Sequence, residues 1–162
     1  MIRRTEVPAG TLLHALRRER GGHADCFVTE CPGAVTLFDY VTAFYTSPLF
    51  RAERAVLRAG GHRSSDADIP LIMTGQADRF AVWRVRRRTD TELLMRQIGG
   101  PTASWFMVAP SGPTTRLYFG SAVLPDEDGG LGSGVRLLMP LHLIYSRALL
   151  AAAKRGLARA RR

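Results

Sequence analysis

From residue 80 to residue 124 the chain repeats one pattern, a short apolar segment followed by a connection dense in turn-forming residues. The segments fall near 80–88, 92–98, 103–109 and 115–124. Thr89-Asp90-Thr91, Gly99-Gly100-Pro101-Thr102 and Pro110-Ser111-Gly112-Pro113-Thr114 separate them. Connections this short join antiparallel neighbours, so the spacing predicts a β-meander. A long apolar segment, Val135 to about Leu157, follows an acidic-glycine loop over 126–134. It carries Arg136, Pro140, His142 and Arg147, too many polar groups for a bilayer span, and reads as a buried amphipathic helix. A sheet with one dry face needs a helical layer over it. This helix is the long candidate, and the fold class is α+β.

The first half supplies shorter elements. Residues 1–22 read as a loosely attached leader with one short helix, Thr11 to about Arg20, ended by Gly21-Gly22. The remainder, 23–162, reads as a single domain with a basic C-terminal tail. A strand is expected over about Ala24–Glu30. Thr36 caps a helix to about Tyr45, with Leu37, Tyr40, Val41 and Phe44 at helical spacing. Pro48 opens a second helix that ends at Gly60-Gly61, and Ser65 with Asp68 caps a third to about Met73.

Alternation within the strands sorts residues by face. Ala81, Trp83 and Val85 share one side of their strand, opposite Phe80, Val82, Arg84, Arg86 and Arg88. Ala103, Trp105, Met107 and Ala109 group in the third strand, and Leu117, Phe119, Ser121 and Val123 in the fourth. One face is thus expected to be aromatic and apolar. The other collects arginines, with Arg96 and Arg116 joining according to register.

With 46% hydrophobic and 23% charged residues, a chain of 162 residues can bury a core without crosslinks or metals. Cys26 and Cys31, odd in spacing, point to opposite faces and read as buried thiols in a reducing compartment. The formal charge of +9 raises nucleic acid and anionic membranes as partners. Lys154 is the only lysine, however, and arginine-rich, alanine-rich composition is what GC-rich codon usage produces by itself. No stacking aromatics accompany the arginines, so nucleic acid is disfavoured, while an anionic membrane surface stays open as a partner. No secretory signal is visible in the first residues, and a cytoplasmic location is the expectation.

Several phrases carry a family resemblance: Asp39 to Arg54 (DYVTAFYTSPLFRAER), Ser65-Asp66-Ala67-Asp68, Phe80-Ala81-Val82-Trp83-Arg84, Leu117 to Val123 (LYFGSAV) and His142 to Leu150 (HLIYSRALL). With the element order, they resemble an uncharacterised bacterial family of the START-like, helix-grip superfamily that includes polyketide cyclases. The resemblance covers about residues 24–153. It implies a curved sheet gripping a long helix with a cavity between them, and it brings no assigned reaction.

The leading expectation is an apolar small molecule, lipid-like or polycyclic, held in that cavity by Trp83, Met95, Trp105, Met107, Phe119 and Tyr145, with His142 as a polar contact. No cofactor or metal is called for. Asp66 and Asp68 lack a third ligand at a familiar spacing, and helix capping accounts for them. The alternative is a cyclase- or hydrolase-type enzyme with His142 as acid or base, for which Asp39, Glu53, Asp66, Asp68 and Asp78 are candidate partners. The third is an electrostatic binder of nucleic acid or membrane through Arg84, Arg86, Arg88 and the basic tail. Oligomeric state is not legible.

Overall fold

A computed structural model describes residues 1–125 and 133–160, with side chains of the last helix described from His142 onward. Most of the acidic-glycine loop, together with Arg161 and Arg162, lies outside the described residues. Seven antiparallel strands form one open, curved sheet in the order β1-β2-β7-β6-β5-β4-β3. They are β1 (Arg3–Thr5), β2 (His23–Pro32), β3 (Arg79–Phe80), β4 (Trp83–Arg88), β5 (Glu92–Gln97), β6 (Thr102–Ser111) and β7 (Thr114–Val123). The helices are α1 (Leu12–Arg20), α2 (Leu37–Tyr45), α3 (Pro48–Ala59), α4 (Asp68–Thr74) and α5 (Ser133–Ala160). The expected α+β architecture, a curved sheet with a long C-terminal helix across it, is what the structure has.

Local chemistry sets the elements. Thr36 accepts a hydrogen bond from the Asp39 amide at 3.1 Å, and Asp39 accepts one from the Thr36 amide at 3.4 Å, a reciprocal cap that starts α2. Pro48 sits in the first turn of α3, where its missing N–H costs nothing. Gly112, at φ +61°, opens the two-residue turn that pairs Ser111 with Thr114 and so fixes the β6–β7 register.

The main core lies between the sheet and α2, α4 and α5. Phe44 meets Phe106 edge-on with ring centroids 4.8 Å apart, and it lies 4.8 Å from Phe119. Leu149, Leu150, Ala153 and Leu157 bring α5 onto this cluster. α5 also rests directly on α2.

The first twenty-two residues are not a loose leader. β1 pairs with β2 at the sheet edge, and α1 buries Leu13 and Leu16 against Cys26, Leu94, Trp105 and Ala122. Both faces of the sheet therefore carry helix. Glu92 holds α1 in place by accepting hydrogen bonds from the Leu12 amide at 2.8 Å and the Trp105 indole at 2.7 Å. Gly120 makes room beneath: a Cβ there would lie 2.5 Å from Leu13 Cδ2 and 2.9 Å from Trp105 Cε3.

Two further expectations change. The segment 80–88 is not one strand, because a tight turn at Ala81-Val82, with Ala81 at φ +53°, folds Phe80 back to pair with Trp83. Phe80 therefore joins the α5-side core instead of facing away from Trp83. A bulge between Val85 and Arg87 then breaks the arginine stripe. Arg88 turns to α4 and donates to the Ile72 carbonyl at 2.6 Å. Cys26 and Cys31 are buried, free and in the two different clusters, as their spacing predicts. Burial, and then the neighbouring Asp25, pushes the Cys26 thiol up to about 12, which leaves it inert. Among the described residues no helix is long and apolar enough to cross a membrane.

Candidate functional site

Register brings side chains into rows across the sheet. On the α5 side, Leu93, Phe106, Phe119 and Phe27 form one row of cross-strand neighbours. The adjacent row is Met95, Ser104, Ser121 and Asp25. An aromatic row beside a row of small polar residues leaves space under the helix, since serines cannot fill what phenylalanines would.

A cavity of about 210 Å³ lies there. Phe44, Phe50, Trp83, Phe106, Phe119 and Leu149 supply apolar wall. From α5, His142, Tyr145, Ser146 and Leu149 face it together, at the i, i+3, i+4, i+7 spacing of one helical stripe.

Two polar groupings converge on this cavity. In the first, Ser121 Oγ stands 2.6 Å from His142 Nε2 and 3.1 and 3.0 Å from the two carboxylate oxygens of Asp25. Ser146 Oγ is 3.5 Å from the same ring nitrogen. Asp25 is 3% exposed. Burial pushes its carboxyl above the ordinary range, against the pull of His142 and the Ser121 hydrogen bond. A hydroxyl has one hydrogen. With Asp25 ionised, Ser121 donates it to the carboxylate, and His142 must donate Nε2–H to Ser121. In the neutral ring, Nδ1 then holds the free lone pair. This is not a nucleophile triad, in which the acid grips the ring nitrogen remote from the serine; here both Ser121 and Asp25 stand on the Nε2 side, Asp25 at 3.7 Å.

The second grouping joins helices: the Tyr145 hydroxyl on α5 donates to Glu53 Oε2 on α3. Burial raises the Glu53 carboxyl above its ordinary value despite that bond. Burial, followed by the Glu53 charge, raises the Tyr145 hydroxyl.

Of the residues expected to line a cavity, Trp83, Phe119, His142 and Tyr145 do so. Met95 is fully buried in the same core, with its sulfur 3.0 Å from the Tyr45 hydroxyl, but it does not reach the cavity. Trp105 and Met107 lie on the opposite face, packed with α1. The reason is register: Trp105 faces Gly120, whereas Phe106 faces Phe119. Of the candidate acids, Asp39 caps α2, Asp66 pairs with Arg51 and Arg54, Asp68 accepts from the Ser65 amide at 2.6 Å, and Asp78 pairs with Arg84 at 3.2 Å. Glu53 alone of these reaches the cavity. Asp25, the acid beside His142, is not among the expected candidates, although its place in the sequence signals it: it is a carboxylate directly before the apolar run Cys26-Phe27-Val28 of one strand.

No family model and no curated protein matches the chain. Among solved structures, CalU16 from Micromonospora echinospora is similar at 11% identity, over 99% of this chain and 92% of that one, with a TM-score of 0.34. TTHA0849 from Thermus thermophilus is 10% identical over 85% of this chain and 99% of its own, with a TM-score of 0.33. The quaternary ammonium Rieske monooxygenase CntA, in complex with the inhibitor MMV12, is 14% identical, covering 90% of this chain and 44% of that one, with a TM-score of 0.34.

Proposed function

We propose that the chain binds a small, mostly apolar molecule carrying one polar group in the cavity between the sheet and α5, and that it is a START-like ligand-binding protein. The observation that supports this reading is the placing of costly groups. Glu53 and His142 line an apolar space, and the buried Asp25 stands behind Ser121 at its wall, where a protein built only for stability would place packed hydrocarbon. Volume narrows the class. An apolar cavity of ~150 Å³ holds benzene, and drug-sized ligands occupy roughly 300–1,000 Å³. A space of about 210 Å³ therefore suits one or two fused rings, not a long acyl chain or an extended polycycle.

The polar end of such a ligand would meet Tyr145 and Glu53, or His142 and Ser146. 2-Naphthol is a fitting probe, and Trp83 is a fitting reporter. In a Trp105→Phe background, which leaves Trp83 as the single tryptophan, 2-naphthol should quench emission saturably. Ser104→Leu, filling the cavity from the sheet side, should abolish that response while near-ultraviolet dichroism is retained. A folded protein that binds neither 2-naphthol nor smaller phenols, and that releases no apolar molecule on denaturing extraction, would refute the reading.

One observation favours a second reading, a cyclase- or hydrolase-type reaction at the same cavity. His142 faces the space and is linked to the buried Asp25 through Ser121, an arrangement that holds the ring in place beside the cavity. On that reading His142→Gln, whose amide can take over the ring's polar contact, still binds 2-naphthol and loses turnover of an activated phenyl ester. Equal turnover in both proteins rejects it.

A further inference from the structure

On the face of the sheet away from α5, several arginines converge on one cleft. Arg84 and Arg96 are direct cross-strand partners. Arg86 lies in the bulge of β4, and Arg20 ends α1. The four line one open cleft of about 830 Å³ whose floor includes the Gly99-Gly100 turn. Arg84 has a partner in Asp78 at 3.2 Å. Among the described residues, Arg20, Arg86 and Arg96 have no carboxylate within ion-pair distance. Arg96 Nε is moreover buried without a hydrogen-bond partner. Burial first, and then the nearby Arg20 and Arg86, holds the Arg96 guanidinium below its ordinary value.

Codon usage explains how many arginines the chain has, but it does not explain this placement. Like charges directly opposite one another across a ladder destabilise it, and a buried donor left without an acceptor costs further stability. The repulsion is relieved when an anion with several oxygens enters the cleft, because the guanidinium groups present parallel donors that match a phosphoryl group.

We propose that the cleft of Arg20, Arg84, Arg86 and Arg96 binds a free, multiply charged oxyanion of the phosphate class. This site is separate from the apolar cavity, and it stands whether or not that cavity holds a ligand.

Pyrophosphate is the probe. Titrated calorimetrically into the intact protein at low ionic strength, it should bind with one-to-one stoichiometry and raise the melting temperature above that in sodium chloride of equal ionic strength. Arg96→Gln and Arg86→Gln should each weaken binding by about tenfold or more. Arg159→Gln, at the far end of α5, should not change it. Pyrophosphate acting no better than chloride, or acting equally on Arg96→Gln, overturns the proposal. So does binding to phosphatidylglycerol vesicles or duplex DNA without binding to pyrophosphate, since the arginines would then serve an extended polyanion. Affinity that appears only after Asp126, Glu127 and Asp128 are neutralised overturns it as well, the cleft then being served by the chain's own acids.

Discussion

Replacing Tyr145 with Phe removes one hydroxyl and leaves Glu53 without the hydrogen bond it accepts in the structure. A hydrogen bond to a charged group is typically worth about 1.5–3 kcal/mol. Both side chains are half-buried, so water can partly compensate, and the expected loss at neutral pH is about 1–2 kcal/mol. In a domain of this length each kcal/mol moves the melting temperature by about 2–4 °C, which gives a fall of about 2–8 °C. The loss must depend on pH with a definite sign. The Tyr145 bond lowers a Glu53 carboxyl that burial has raised. Without the hydroxyl the folded-state value rises further, so the variant loses more stability as pH climbs through that range. At about pH 4 the acid is protonated in both proteins, and the difference shrinks to that of a neutral bond, about 0.5–1 kcal/mol. Urea unfolding at about pH 4 and about pH 8 measures this, and other carboxylates cancel in the comparison. Adding Glu53→Gln should relieve most of the Tyr145→Phe penalty at the higher pH. An equal penalty at both pH values, or additive losses in the double variant, would refute the Glu53–Tyr145 bond.

Asp25→Asn should flatten the pH profile of stability. The folded value of Asp25 is raised, so its contribution is present below 3.8, the ordinary value, and is lost as pH rises through the folded value. The variant should therefore gain on the parent between about pH 4 and neutrality; a difference that stays constant across the urea series would count against this. Gly120→Ala forces a methyl against Leu13 and Trp105 and should cost about 1–3 kcal/mol. Leu13→Ala should be less harmful in that background than alone, and strict additivity in thermal melts would contradict the packing of α1. Glu92→Ala frees the Leu12 amide and the Trp105 indole. Hydrogen exchange of α1 amides should accelerate while 2-naphthol binding is unchanged, since the cavity lies on the other face; loss of that binding would tie the two faces together.

Turn chemistry explains where the sequence was readable. Gly99-Gly100, Gly112-Pro113, Ser47-Pro48 and Gly60-Gly61 mark ends that the structure places within a residue or two of expectation. The Ala81-Val82 turn was not readable, because Ala81 at φ +53° occupies a conformation for which glycine is the usual signal. That one missed turn put Phe80 on the wrong face. The missed bulge after Val85 did the same for Arg88. The docking of α1 is illegible in the sequence for a different reason: two buried leucines in a nine-residue helix make a thin apolar stripe, and their partner surface exists only once β2, β5, β6 and β7 are assembled.

The misplacement of Trp105 reaches furthest, because it decides which aromatics can touch a ligand. Alternation assigns side chains to faces within a strand, yet it says nothing about which face of the next strand matches. The turn supplies that. A two-residue connection at Gly112-Pro113 pairs every odd-numbered residue of β6 with an even-numbered one of β7, so Trp105 falls opposite Gly120 and Phe106 opposite Phe119. The same parity lays Ser104 beside Ser121, and the β2–β7 register extends the row to Asp25. A polar row on the dry face of a sheet is unstable unless something answers it. Ser121 answers Asp25, His142 answers Ser121, and the serines leave volume that the phenylalanine row does not. The candidate site thus follows from register more than from any single residue, which is why no motif announced it.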